Sequence, residues 1–172
     1  MKARSLGIVF ILLSLGIVSV SAFVYQQSSL TVTNTIKEIA ALTLQNSALG
    51  NIEEGQTLLY TPTNQSDLNQ IINVTTTKDN VYLHFDSDLD LMSGNYTTYN
   101  IVVKIDTAPG TSSHNPGDTV CTLSIGTPDH SSVTLDKTGD YKFDFEITTT
   151  AQSVDSDQNT TVTITVSAES TS

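Results

Sequence analysis

Strict alternation of apolar and polar residues from about residue 29 onward, turn signals between the alternating runs, and no convincing amphipathic helix predict an all-β fold. Roughly eight or nine strands at such spacing read as a single antiparallel β-sandwich of jelly-roll or immunoglobulin-like type. The chain divides into a hydrophobic signal segment over 1–22, a strand-forming tail over 23–36 and the sandwich domain over 37–172.

The N-terminus comes first. Lys2 and Arg4 precede an almost wholly apolar run from Leu6 to Val20, and Val20-Ser21-Ala22 sets small residues where a signal peptidase reads. Cleavage after Ala22 leaves Phe23 as the first mature residue. The other reading extends the run to Tyr25, about twenty residues, enough to span a bilayer as a retained helix. Both readings put the rest of the chain outside the cytoplasm, because both basic residues precede the apolar run.

In the tail, Leu30, Val32 and Ile36 share one parity and Thr31, Thr33 and Thr35 the other, with Asn34 interrupting the apolar row. Ile39 to Gln45 is the first core-like strand. Val81, Leu83 and Phe85 then alternate with Tyr82, His84 and Asp86, and Tyr99, Ile101, Val103 and Ile105 form a second inward row. Cys121, Leu123 and Ile125 make a third. In Tyr141 to Ile147 the aromatic residues and Ile147 oppose Lys142, Asp144 and Glu146, and Val162, Ile164 and Val166 close the series. Turns fall at Ser93-Gly94-Asn95, Ala108-Pro109-Gly110, Asn115-Pro116-Gly117, Gly126 to Asp129 and Lys137 to Asp140. Thr107 to Asp118 is the one long loop, and 151–160 is a polar link to the last strand. Leu135, Gly139 and Tyr141 resemble the corner that leads into a late strand of immunoglobulin-like domains.

Composition excludes several functions. With 172 residues, 7 Lys+Arg, 18 Asp+Glu and a net charge of −11, the chain has too little basic surface to neutralise nucleic-acid phosphates. Loss of Lys2 and Arg4 with the signal segment leaves five Lys against the 18 acids, a mature charge of −13. Such a surface repels anionic membranes. The single Cys121 rules out a disulfide scaffold and a zinc ribbon, and its inward parity reads as a buried thiol. With 27 Thr and 20 Ser, hydroxyl side chains make up more than a quarter of the sequence.

Candidate sites are sparse. His84 lies on the wet face of a strand, and His114 and His130 fall in predicted loops, with no paired metal-binding spacing. Asp86, Asp88 and Asp90 alternate, so a continuous strand puts three carboxylates on one face, the makings of a weak calcium site or a solvated acidic face. An EF-hand needs Gly and Glu where Leu91 and Thr97 stand. Sequons begin at Asn64, Asn73, Asn95 and Asn159, and export makes their glycosylation chemically possible. No catalytic constellation and no cofactor motif is present in the sequence, so no enzyme is expected.

The tail points to assembly. A strand near a free end pairs within its own domain or completes a neighbour's sheet. Head-to-tail pairing does not close and gives filaments. Three to four buried apolar side chains at about 1.5–3 kcal/mol each and roughly eight main-chain hydrogen bonds at about 0.5–1.5 kcal/mol favour the joint. Ordering at about 1–2 kcal/mol per residue removes much of that sum, and the remainder is what would hold subunits together, above all when each contacts neighbours on both sides.

Thr35-Ile36 leading into Ala41-Leu42-Thr43-Leu44, followed by Asn51-Ile52-Glu53-Glu54-Gly55-Gln56-Thr57, resembles the opening of TasA/camelysin-type biofilm matrix proteins. The layout is similar to archaeal bundling pilins and archaeal thread subunits. That resemblance implies a secreted cell-surface filament subunit, serving cohesion and adhesion between cells, with Leu30, Val32 and Ile36 on the donor strand. Its partners are then identical subunits head to tail, with neighbouring filaments or cell surfaces as further contacts and no membrane after processing. Two other readings stay open: a membrane-anchored type IV pilin-like subunit or adhesin, and a monomeric extracellular binding module.

Overall fold

Nine strands form in residues 40–153 and 159–170, the parts of the chain described by the computed structural model: β1 (Ala40–Leu44), β2 (Thr57–Tyr60), β3 (Ile72–Thr76), β4 (Val81–Ser87), β5 (Tyr96–Thr107), β6 (Thr119–Ser124), β7 (His130–Leu135), β8 (Gly139–Ala151) and β9 (Ile164–Ser170). The signal segment, the Ala22–Phe23 cleavage site and the tail carrying Leu30, Val32 and Ile36 lie outside the described residues. Two short 3-10 helices, Ser66–Leu68 and Leu89–Gly94, complete the described secondary structure. Among the described residues no helix is long and apolar enough to cross a membrane.

All strand pairs are antiparallel, and they fall into two sheets. The larger runs β1-β3-β8-β5-β6, with β2 also paired to β8; the smaller runs β7-β4-β9. β8 is the backbone of the larger sheet. Along one side it pairs with β5, and along the other it takes β3 opposite Gly139 to Phe143 and β2 opposite Ile147 to Thr150. At 12 and 13 residues, β5 and β8 are longer than the short strands expected from turn spacing. β2, an apolar TLLY run without clear alternation, is not marked by the sequence pattern.

Most rows expected to face inward do so, though of Cys121, Leu123 and Ile125 only the first two are buried, Ile125 lying past the end of β6 and half-buried. Val81, Leu83 and Phe85, Ile101, Val103 and Ile105, and Tyr141, Phe143 and Phe145 are all buried. Phe85 of the small sheet meets Phe143 of the large one edge to face, ring centroids 6.4 Å apart at 74°, a preferred aromatic geometry at the centre of the core. In β9 the inward row is Ile164, Val166 and Ala168, while Val162 precedes the strand and is half-buried. His130 opens β7 rather than sitting in a loop, because the turn ends one residue earlier. Outside the core, Lys104 and Glu146 pair at 2.7 Å on the wet face of the large sheet, where solvent keeps such a contact weak.

The two ends of the molecule differ. At one end, here called the corner end, Ala40 lies opposite Thr76 and Thr76 opposite Gly139, and the β3–β4 and β7–β8 turns are close by. A hydroxyl network seals it. The Lys137 amide donates to the fully buried Tyr141 phenol at 3.0 Å, and the phenol faces Asp136 Oδ1 at 3.2 Å and Ser112 Oγ at 3.3 Å. Ser112 Oγ and the Ser113 amide donate to the Asp136 carboxylate, so the long loop between β5 and β6 is stapled to the β7–β8 turn. Gly139 has φ +137°, and a Cβ there would sit 2.8 Å from Pro109 Cγ, so both backbone and packing demand glycine.

Burial of Asp136 opposes its ionisation, but the hydrogen bonds from Ser112, Ser113 and Tyr141 outweigh it and hold the carboxyl well below its usual range. Such a group stabilises the fold fully above the unfolded carboxylate value of about 4, and the contribution is lost as pH falls through the folded value. Urea melts are expected to show Tyr141→Phe costing about 1–3 kcal/mol with unchanged m, since it strands the Lys137 amide. Asp136→Asn is expected to flatten the acid limb of the stability profile; an unaltered limb would contradict the network's role.

Candidate functional site

At the end opposite the corner a groove opens against the large sheet. β8 and β5 continue their inward rows there beyond the Phe85–Phe143 contact, and the floor they form stays buried. The groove has a volume of about 1090 Å³. Tyr99 and Ile101 of β5, with Phe145, Ile147 and Thr149 of β8, form its floor. One wall is the chain that follows β1, residues 46–54, backed by Leu68 and Ile71; the other is residues 159–162 leading into Ile164. The groove therefore lies over the same period-two rows that build the core, which continue along both strands beneath its walls.

Three tyrosines shape the walls. Tyr96 and Tyr99 stack edge to face with centroids 5.1 Å apart at 82°. The Tyr60 phenol donates to the Gly50 carbonyl at 3.4 Å, tying in one wall, and Tyr96 Oη bonds Thr160 Oγ1 at 3.0 Å, tying in the other. At the mouth, Gln152 Nε2 donates to the carbonyls of Ser93 and Tyr96, each at 2.9 Å. Burial raises the phenols of Tyr99 and Tyr60 above their ordinary value, and neighbouring Tyr96 adds to both shifts. Both therefore remain neutral donors at physiological pH.

Two polar atoms in the groove have no hydrogen-bond partner among the described residues. Thr149 is 2% exposed and its Oγ1 makes no bond; Ser47 Oγ, in the wall, is likewise buried and unpartnered. Among the described residues, the charged ones in the lining are Glu53 and Glu54. The floor is aromatic and aliphatic, but Asn46, Asn51, Glu53, Glu54, Asn95 and Gln152 make the walls and mouth polar. With no cation among the described lining residues, the groove disfavours a phosphate or carboxylate and suits an extended segment with apolar side chains on one face and polar groups at its edges.

The residues picked from the sequence are dispersed. Asp86, Asp88 and Asp90 do not share a strand face, because β4 ends at Ser87 and the chain turns into the 3-10 helix that buries Leu89 and Met92. Asp88 Oδ1 instead accepts from the Thr163 amide, and Asp90 Oδ1 from the Gly126 amide, each at 2.7 Å. Among the described residues no three His, Cys, Asp or Glu side chains gather as a metal site. His84 faces outward and half-buried on β4. His114 Nε2 lies 2.7 Å from the Thr134 carbonyl, so although Ser112, His114 and Asp136 are neighbours, the serine bonds the carboxylate and not the imidazole. Cys121 is buried, its thiol pushed up to about 12 by that burial.

The sequons also separate. Asn64 and Asn159 are exposed, and Asn95 is half-exposed beside the groove mouth. Asn73 is half-buried within β3, its Nδ2 donating to the Gln70 carbonyl at 3.2 Å. Sequence reasoning took Tyr99, Ile101 and Ile147 as ordinary core and passed over Thr149 and Ser47. The usable signal was Thr149 itself, a hydroxyl that continues the inward row of β8.

No protein-family model matches the chain, and no curated protein matches it.

In an alkaline titration followed by phenolate absorbance, Tyr99 and Tyr60 are expected to ionise above the ordinary phenol value of about 10. Their contribution to stability is complete below that value and is lost as pH rises through the raised folded values. Tyr99→Phe is expected to remove part of this late signal; an unchanged late signal would mean that Tyr99 does not sit in the buried floor.

Proposed function

We propose that this protein is a structural subunit of an extracellular filament, assembled by donor-strand complementation. Residues 23–36 of one copy lie in the groove of the next, with Leu30, Val32 and Ile36 covering its apolar floor beside β9. In this reading the two sheets form a jelly-roll-type sandwich that an incoming strand completes. The signal segment is removed between Ala22 and Phe23, the subunit works outside the cell, and exposed Asn159 is the sequon best placed to carry glycan, since Asn64, though exposed, donates its Nδ2 to the Leu59 carbonyl at 2.9 Å. Its role is cohesion and adhesion, with no catalytic step.

What supports this reading most is the polarity of the described fold. The preceding chain joins at Ala40, at the corner end, whereas the groove opens at the opposite end, past Ile147 of β8. Subunits that offer a tail at one end and a groove at the other stack head to tail, and that arrangement propagates. Three apolar anchors at about 1.5–3 kcal/mol each give about 5–9 kcal/mol before ordering costs. Main-chain pairing adds to it without requiring charge.

The test compares the chain beginning at Phe23 with one beginning at Lys37, by electron microscopy and sedimentation. The longer chain is expected to form fibres. The shorter one is expected to stay monomeric and to gain thermal stability when a peptide of residues 23–36 is added, as any ligand of the native state alone confers. Long fibres from the shorter chain would overturn the proposal.

A further inference from the structure

Of the two unpartnered hydroxyls, Ser47 in the wall and Thr149 on the floor, the one on the floor has a match in the tail. On the floor, the inward row of β8 runs Tyr141, Phe143, Phe145, Ile147 and then Thr149, whose Oγ1 is buried without a partner. In the tail, the row runs Leu30, Val32, Asn34, Ile36, with one amide among aliphatic side chains. A polar group isolated in an apolar contact is unfavourable unless it meets a complement, and an amide both donates and accepts. A single buried polar pair is therefore well suited to fix register, because every slipped alignment leaves two groups unsatisfied.

We propose that Asn34 is the register residue of the joint: its side-chain amide enters the groove of a neighbouring copy and hydrogen-bonds Thr149 Oγ1. This inference rests on the donor-strand reading above and specifies it. Leu30 and Val32 then lie over the deeper, apolar part of the floor toward Phe145, and Ile36 lies toward the mouth, from which the chain leads out to its own domain.

Chain length requires the partner to be another copy. Ala40 is level with Gly139 through the β1–β3–β8 register, and Thr149 is ten residues further along β8, about 33 Å at the usual strand rise. Asn34 precedes Ala40 by six residues, which span at most about 22 Å when fully extended. A chain's own Asn34 thus falls short of its own Thr149 by about 10 Å. A second subunit stacked with its corner end against the groove mouth has no such deficit.

The experiment is a double-mutant cycle in the exported full chain: Asn34→Leu, Thr149→Val and the pair together, with the denaturant resistance of the fibres and the monomer concentration left at equilibrium as readouts. Each single change is expected to raise that residual monomer concentration about tenfold by stranding the remaining polar group. The double variant is expected to recover most of the loss, because two apolar groups then face each other. A cysteine pair provides a second measurement. Asn34→Cys with Thr149→Cys is expected to give an intermolecular ladder with a short thiol bridge, and Asn34→Cys with Ile147→Cys, one inward position away, a far weaker one. Buried Cys121, with its raised thiol, does not compete.

Additive losses in the cycle, or stronger bridging to position 147, would overturn the register contact while leaving the donor strand in place. Bridging within monomers, or no bridging at either position in fibres that form normally, would overturn both.

Discussion

The inward row of β8 is the constraint on which the rest of the molecule depends. Tyr141, Phe143, Phe145, Ile147 and Thr149 occupy alternate positions of one uninterrupted strand, so their common face is dictated by β geometry alone. Every strand of the large sheet except β1 and β6 pairs with β8 directly, and the Phe85–Phe143 contact locks the small sheet against it. The row also changes character along its length. It begins at a phenol held from several sides and ends at a buried hydroxyl with no partner among the described residues, so one strand carries both the most fully bonded polar group of the core and one of its unbonded ones.

That gradient separates stability from recognition. The corner end gathers the Tyr141 network, the stapled β5–β6 loop and the glycine against Pro109, each a satisfied and closely packed feature. At the groove end, neutral phenols and two buried hydroxyls without partners lie beneath polar walls. Copies of a chain with net charge −11 repel one another, so any association between them would have to draw on apolar burial and main-chain pairing. Added salt weakens the repulsion and leaves those two terms largely intact.

Much of this is legible in the sequence because period two is a strong signal. The rows at Val81–Phe85, Tyr99–Ile105 and Tyr141–Ile147 were readable from parity, and the turns at Gly94, Gly126 and Lys137 from residue type. What parity does not reveal is which strand lies beside which. β2 and β3 sharing one flank of β8 is a long-range register choice, and the TLLY run carries no alternation to announce it. The acidic triplet was misread for a local reason: Leu89 and Met92, three apart, are drawn into the core and bend the chain into a 3-10 turn where alternation had suggested strand. The groove was invisible because its floor and walls come from at least five separate segments, 46–54, 68–71, 95–101, 145–152 and 159–164.

The position of Ala40 has a mechanical consequence. β1 begins at the corner end and runs lengthwise along β3 through five paired positions, from Ala40 opposite Thr76 to Leu44 opposite Ile72. Tension applied through the preceding chain, directed away from the body, loads that ladder in shear: its hydrogen bonds resist together and do not peel apart singly. β3 passes the load to the middle of the large sheet through β8. The attachment point is thus built to bear a steady pull along the strands, and it would yield far sooner to a sideways one.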